Sequence, residues 1–241
     1  MSTKKSKVTP PSIDAPSVRP GQKGGVRDQN RQLKVKQLQE AAVNMFLEKG
    51  IEATTIDDIT TSAGVAKGSF YRYFSDKEHL VQTLLDPLIA DLEAAFRTCQ
   101  TELESTRTAD RMMAVYGDLG AELTHLLLER SHIVKIYLQE SRGPHVGARK
   151  PVCEAAALIT THAIALTHVA HQHGLLRPFP AAISARTVVG AAERLLLAVF
   201  DEEDIGDLME APEALASLIL HGLLKDPSSG PKIPLKDSPI P

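Results

Sequence analysis

The sequence predicts an all-α fold, and three observations carry that expectation. Apolar residues recur three and four apart along most of the 241 residues, alternation with a period of two is absent over any useful length, and Gly or Pro closes one helical pattern and opens the next. An apolar share of 43% with 24% charged residues is ordinary for a globular chain able to bury a core.

Each element has a local reason. From Gln29 to Lys49, Leu33, Leu38, Ala41, Ala42, Met45 and Phe46 make one amphipathic face, and Gly50 ends the helix. Thr55 is placed to cap a second helix over 56–62, with Ile56 and Ile59 three apart and Asp57 and Asp58 near its positive end. Ala63-Gly64 lets the chain reverse, and Val65 supplies an apolar plug between two crossing helices. A third helix is expected over 66–73. Its Phe70 and Phe74 face inward, while the small, basic Ala66-Lys67-Gly68-Ser69 faces outward. Small outside and apolar inside is the arrangement that insertion into a DNA groove requires.

Ser75 and Glu78 have capping-box spacing for a fourth helix, whose apolar face runs from Leu80 through Leu84, Leu88 and Leu92 to Phe96. Pro87 inside it is expected to kink or break it. Further helices are expected over 109–130 and 132–140. A loop follows over 141–150, then a helix over 151–173 that opens on Pro151 and ends at Gly174. Two more, over 181–200 and 212–224, close the pattern.

Charge is unevenly placed. The net charge is −3, yet residues 1–31 hold Lys4, Lys5, Lys7, Arg19, Lys23, Arg27 and Arg31 against Asp14 and Asp28, a net +5; the 20 basic and 28 acidic residues beyond Arg31 give −8. The positive charge therefore stands next to the groove-sized helix pair, where phosphate neutralisation matters most. Cys99 and Cys153 form no disulfide framework or thiol metal site, and with no signal peptide or apolar run of membrane-spanning length the expectation is a cytoplasmic protein with no membrane partner. The histidines His162, His168, His171 and His173 lack a carboxylate to complete a metal shell. No metal and no cofactor are expected, and His171 and His173 read as residues suited to a helix end.

Thr55, Ile59, Ala63, Gly64, Val65, Gly68, Tyr71, Tyr73, Phe74, Lys77 and Leu80 together resemble the signature of the TetR family of transcriptional regulators, most sharply over residues 32–92. Two positions depart from it: Thr60 stands where the family usually has Ala, and Ala66 where Ser or Thr is common and would add a capping hydroxyl. The resemblance implies an N-terminal three-helix helix-turn-helix DNA-binding domain plus a C-terminal helical ligand-binding and dimerisation domain. The expected division is a disordered basic arm over 1–28, the DNA-binding domain over 29–80 with its motif at 55–74, the effector and dimerisation domain over 81–225, and a Pro-rich flexible tail over 226–241. The arm is either a solubilising tail or, from its place just before the first helix, a phosphate or minor-groove contact.

The resemblance assigns Thr55, Tyr71, Tyr73 and Lys77 to phosphate, and their hydroxyls and ammonium suit that role. Lys67 and Ser69 are the expected base readers, with the Ala66 methyl able to touch thymine. The partners implied are a double-stranded DNA operator, a second copy of the chain and a small-molecule effector of apolar or acyl type. Ile183, Thr187, Val188, Ala191, Leu195, Leu196 and Val199, with Leu215, Leu218, Ile219, Gly222 and Leu223, are the expected homodimer face. Phe96, Met112, Met113, Tyr116, Leu119, Tyr137 and His162 are the expected cavity lining. The function implied is a ligand-responsive homodimeric repressor and not an enzyme. The alternatives are a DNA-binding regulator without effector and a helical enzyme holding a metal at its histidines.

Overall fold

The computed structural model describes residues 26–177, 179–207 and 210–223, with side chains through Leu218. The basic residues before Val26 and the tail from 226 onward lie outside the described residues, as do the side chains of Ile219, Gly222 and Leu223. The described residues form α1 (Val26–Lys49), α2 (Ile56–Ser62), α3 (Lys67–Phe70), α4 (Lys77–Ser105), α5 (Ala109–Glu129), α6 (Ser131–Glu140), a single 3-10 turn (Gly147–Arg149), α7 (Lys150–Gln172), α8 (Ala181–Phe200) and α9 (Ala211–Leu223), without a strand among them. The chain divides into two compact units at Lys36: the first holds the N-terminal part of α1, and the rest of the molecule lies in the second.

The expected helices are present, with four corrections and one reversal. First, α1 starts at Val26, inside the stretch expected to be an unstructured arm, and its Leu33 is exposed and off the apolar face assigned to it. Second, α3 stops at Phe70: the Phe70 carbonyl accepts from both Tyr73 N and Phe74 N at 2.9 Å, so residues 71–73 form a turn. Third, α4 is capped by Asp76, one residue later than expected, through His79 N donating to Asp76 Oδ1 at 2.8 Å. Fourth, α4 runs unbroken through Pro87, because Leu85, Leu88 and Leu92 are buried on either side of it and hold both halves to one core. The reversal concerns α7. With the turn before it, Gly147–Gln172 is long and apolar enough to cross a membrane by length and composition, although no such run was expected. Val152, Ala155, Leu166, Val169 and Ala170 direct that apolar character into the helical bundle.

Two cores result. Leu38, Ala41, Ala42 and Phe46 of α1 enclose, with Ile51, Ile59, Phe70, Phe74 and Leu80, a small head in which the Phe70 and Phe74 rings lie 5.5 Å apart. The larger core lies among α4 to α9, where α4 packs on α7 and α5, α8 on α7, and α9 on α5. The last of these contacts is close: a Cβ at Gly120 of α5 would lie 2.7 Å from Pro212 Cβ of α9.

The cores are joined at the corner between α1 and α2. Glu140, at the end of α6 and buried, accepts from Ile51 N at 2.9 Å and from Arg149 Nε at 2.7 Å. From the opposite side Lys77 donates to the carbonyls of Ile51, Glu52 and Thr54 at 2.6, 3.2 and 2.8 Å. Gly50 is required twice over, since its φ of +84° suits glycine and a Cβ there would sit 2.9 Å from Glu140 Oε1.

Replacing Glu140 by Ala leaves Arg149 without its partner and the Ile51 amide without an acceptor. The expected loss is about 3 kcal/mol of unfolding free energy, measured by urea denaturation, with Glu140→Gln losing less. A second expectation concerns the two thiols. Burial pushes Cys99 up to about 12, whereas Cys153 is half-buried and weakly donates to Gly143 O at 3.8 Å. Iodoacetamide at neutral pH should therefore label Cys153 of the folded protein well before Cys99, as peptide mass spectrometry would read directly.

Candidate nucleic-acid interface and ligand cavity

The short helix pair is fixed by caps more than by length. Thr55, in an extended conformation, accepts from Asp58 N at 3.1 Å and donates to Asp58 Oδ2 at 2.7 Å, while Thr55 N donates back to that carboxylate at 2.8 Å. Lys49 lies 2.7 Å from Asp58 and, as the largest cause, holds its carboxyl well below the usual range, with Thr55 adding to the effect. Thr60, the first departure from the family pattern, is buried with its hydroxyl donating to Asp57 O at 3.2 Å, so its polarity is satisfied inside the helix. Gly64 takes φ +65° at the reversal. Ala66, the second departure, caps α3 with no side-chain hydrogen bond.

The turn presents a specific surface. Phe70 anchors α3 from within, while Ala66, Lys67 and Gly68 are exposed and Ser69 is half-exposed. A Cβ at Gly68 would meet nothing within 4 Å, so nothing inside the molecule requires a glycine there. Lys67 Nζ lies 2.8 Å from Asp57 Oδ1 across the turn; that hydrogen bond raises the lysine's affinity for its proton, and both side chains remain open to solvent. Tyr71 is 53% exposed and meets the edge of Phe70 at 5.5 Å; Tyr73 is half-buried. Arg72, between the two tyrosines, is exposed. It is a cation on the same turn that the sequence reading passed over, and its place between two expected phosphate contacts was the available signal.

Two of the expected phosphate groups have internal work. The Thr55 hydroxyl is engaged in the cap, and the Lys77 ammonium is half-buried among three carbonyls, with burial lowering its proton affinity. Lys77 thus ties α4 to the α1–α2 corner, where a lysine outnumbered by backbone carbonyls has little reason to leave.

Within the second core a cavity of about 270 Å³ opens among α4 to α9. Phe96, Tyr116, Leu119 and Tyr137 line it as expected, whereas Met112 is fully buried away from it and Met113 and His162 do not reach it. His162 instead stacks face to face on the outer side of Phe96, with centroids 5.0 Å apart. Beyond Phe96, the expected lining left out the rest of α4 and all of α8 and α9: Leu88, Leu92, Val188, Leu195, Leu196 and Leu215 all face the cavity. Val188, Leu195, Leu196 and Leu215, expected at a homodimer face, are half-buried and line the cavity. Helical periodicity marks which residues share a face but not which of two hydrophobic surroundings that face meets. Ile183, Thr187 and Leu218 do point outward, Leu218 being 75% exposed, and Ala191 and Val199 are half-buried.

Glu193 of α8 stands in the cavity wall with its side chain 15% exposed. It accepts from Tyr137 Oη at 2.7 Å and from Arg142 at 2.9 Å. Burial foremost, then the bond to Glu193, keeps the Tyr137 phenol protonated far above its ordinary range. At the far end of α7, burial foremost lowers the proton affinity of His171, with the neighbouring His168 adding to the effect. Among the described residues no group of three or more His, Cys, Asp or Glu is placed to hold a metal ion.

Residues 38–84 match the model of the bacterial regulatory proteins of the tetR family. The HTH-type transcriptional repressor KstR2 of Rhodococcus jostii is 32% identical over 90 residues, which cover 37% of this chain and 38% of that protein, so the chain spans well under half the length of this curated relative. In solved structures the likeness extends through the whole bundle. The ketosteroid transcriptional regulator KstR2 of Mycobacterium tuberculosis matches 80% of this chain and 96% of its own, with a TM-score of 0.57 at 22% identity. FadR from Bacillus subtilis, in complex with stearoyl-CoA, matches 78% of this chain and 98% of its own, with a TM-score of 0.58 at 17% identity. At those identities the shared property is the fold. Residues 38–84 thus match the N-terminal model of the tetR family of bacterial regulatory proteins, and the described helices share the fold of these TetR-type regulators.

Proposed function

We propose that this chain is a sequence-specific DNA-binding transcriptional regulator, a homodimeric repressor whose hold on its operator is set by an apolar small molecule in the cavity. The observation that carries the reading is the head of α3: a buried Phe70 behind, and in front an exposed Ala66-Lys67-Gly68-Ser69 with open space over Gly68. Such a surface admits close approach of backbone to a groove. Lys67 reads base acceptors and Ser69 adds a hydroxyl, while Ala66 offers a methyl contact. Tyr71, Tyr73 and Arg72 bind phosphate, and Lys77 and Thr55 set the angle at which α2 and α3 are presented.

A second copy is assigned to the outward face of α8 and α9, where Ile183, Thr187, Ala191 and Leu218 offer apolar and small side chains. Pairing supplies the second half-site that one short reading helix needs for useful affinity. The cavity supports the effector role. Its lining is overwhelmingly apolar, the FadR neighbour of the same fold holds stearoyl-CoA, and the curated relative KstR2 is named a transcriptional repressor. The helices that line it also hold the head: α4 carries both Leu88 and Lys77, and α6 both Tyr137 and Glu140. A ligand that favours one arrangement of α4 and α6 shifts the population of head orientations, and so of half-site spacings.

Genomic fragments selected on the purified protein would supply the operator. On that DNA, Lys67→Ala should lose about 1–3 kcal/mol of discrimination between operator and scrambled sequence in fluorescence anisotropy titrations. Arg72→Ala should weaken both sequences alike and reduce the salt slope by about one. Lys77→Ala should lower unfolding stability and weaken all DNA binding, with the salt slope of the remaining folded protein unchanged. No salt-dependent affinity for any fragment would overturn the proposal.

A further inference from the structure

The cavity is almost devoid of charge, and the exception has a sign. Of the residues lining it, Glu193 alone among those described carries a charge, and no Lys, Arg or His joins it in the wall. Arg142, which pairs with Glu193 Oε2 at 2.9 Å, is 71% exposed and stands outside the lining, so a molecule inside meets the carboxylate and not the guanidinium. Of the five other hydroxyls in the wall four are committed, Ser184 being the exception. Thr124 donates to Gly120 O at 2.8 Å, Thr167 to Ala163 O at 2.9 Å, Tyr116 to Leu166 O at 3.4 Å, and Tyr137 to Glu193 itself at 2.7 Å. Each carboxylate oxygen has more than one acceptor direction, and Glu193 receives one hydrogen bond on each, from Tyr137 on Oε1 and Arg142 on Oε2. The cavity therefore offers an incoming molecule a broad apolar wall, the Ser184 hydroxyl and, at one place, a charged acceptor with capacity to spare.

Resting on the reading of this cavity as an effector site, we infer that it selects an apolar molecule bearing a hydrogen-bond donor, a hydroxyl or an ammonium, and turns away free carboxylates. A donor placed at Glu193 gains a charge-assisted hydrogen bond in surroundings that exclude water. A carboxylate at the same place meets like charge first, with the Arg142 guanidinium outside the lining on the far side of Glu193. A ligand with no polar group gains burial alone.

The test uses the full-length protein and a neutral fluorescent probe, N-phenyl-1-naphthylamine, displaced at neutral pH by 1-decanol, decylamine or decanoate, which share one chain length. Decanol or decylamine should displace the probe at concentrations about tenfold or more below those needed for decanoate, and whichever of the two is tighter identifies the donor. In Glu193→Gln the gap to decanoate should close, mainly by a gain for decanoate. Tyr137→Phe, which keeps the carboxylate and loses only its phenol partner, should retain the gap and so separates charge selection from a general disturbance of the wall. Decanoate binding as tightly as decanol, or a gap that persists in Glu193→Gln, overturns the inference while leaving the cavity a ligand site. If the probe does not enter the unaltered protein at all, the effector reading and this inference fall together.

Discussion

The backbone between Gly50 and Thr54 turns a corner that its flanking helices cannot satisfy, and the way its polar groups are paired sets the geometry of everything on either side. The Ile51 amide goes to Glu140 of α6, the carbonyls of Ile51, Glu52 and Thr54 go to the ammonium of Lys77 on α4, and the Thr54 hydroxyl closes back onto Gly50 O at 2.7 Å. Each of these is a charged or buried group reaching a backbone atom, the class of hydrogen bond that costs most when broken. Arg149, at the entrance to α7, completes the arrangement by neutralising Glu140 at 2.7 Å. Without the corner held from both sides, α2 and α3 have little else to fix them: one is seven residues long and the other four. Helices that short have no stability of their own in water.

That constraint also explains how a cavity and a reading surface can share one mechanism. The head is attached to α4 and α6 by hydrogen bonds that have directions, and those helices meet the cavity with side chains that have only volume. Under the proposed function, a ligand that shifts α4 or α6 reaches the corner through those hydrogen bonds, whose lengths and angles are narrowly set. Gly120 belongs to the same picture. Because it lacks a side chain, Pro212 can rest directly on α5, which lets α9 close over the cavity wall.

Much of this was legible in the sequence, for reasons particular to each part. Caps and punctuation are local chemistry, so Thr55, Gly50, Gly64, Pro151 and Gly174 marked element ends close to where they stand. What could not be read was the work of residues whose neighbours are distant in the chain. Lys77 looks like a surface cation until the fold brings residues 51–54 beside it, and Glu140 has no visible partner until Ile51 and Arg149 converge on it. Pro87 suggested a break because its local cost is evident, while the burial that offsets it involves helices well removed in sequence. The outward and inward faces of α8 were merged for the same reason: both are apolar, and only the packing of α4 to α9 shows that Val188 and Leu195 belong to a cavity while Ile183 lies on the outside.

The head of α3 has one further implication. Its hold on the molecule comes from Phe70, and the side chains in front of it contribute little: Gly68 touches nothing, and the Lys67 to Asp57 pair is a solvent-exposed ion pair of the kind worth about 1 kcal/mol or less. Positions 67 to 69 can therefore change identity with scarcely any penalty to folding. Under the proposed function, the recognition code and the scaffold are then written in different residues, and a duplicated copy of this gene is free to acquire a new address while inheriting its architecture intact.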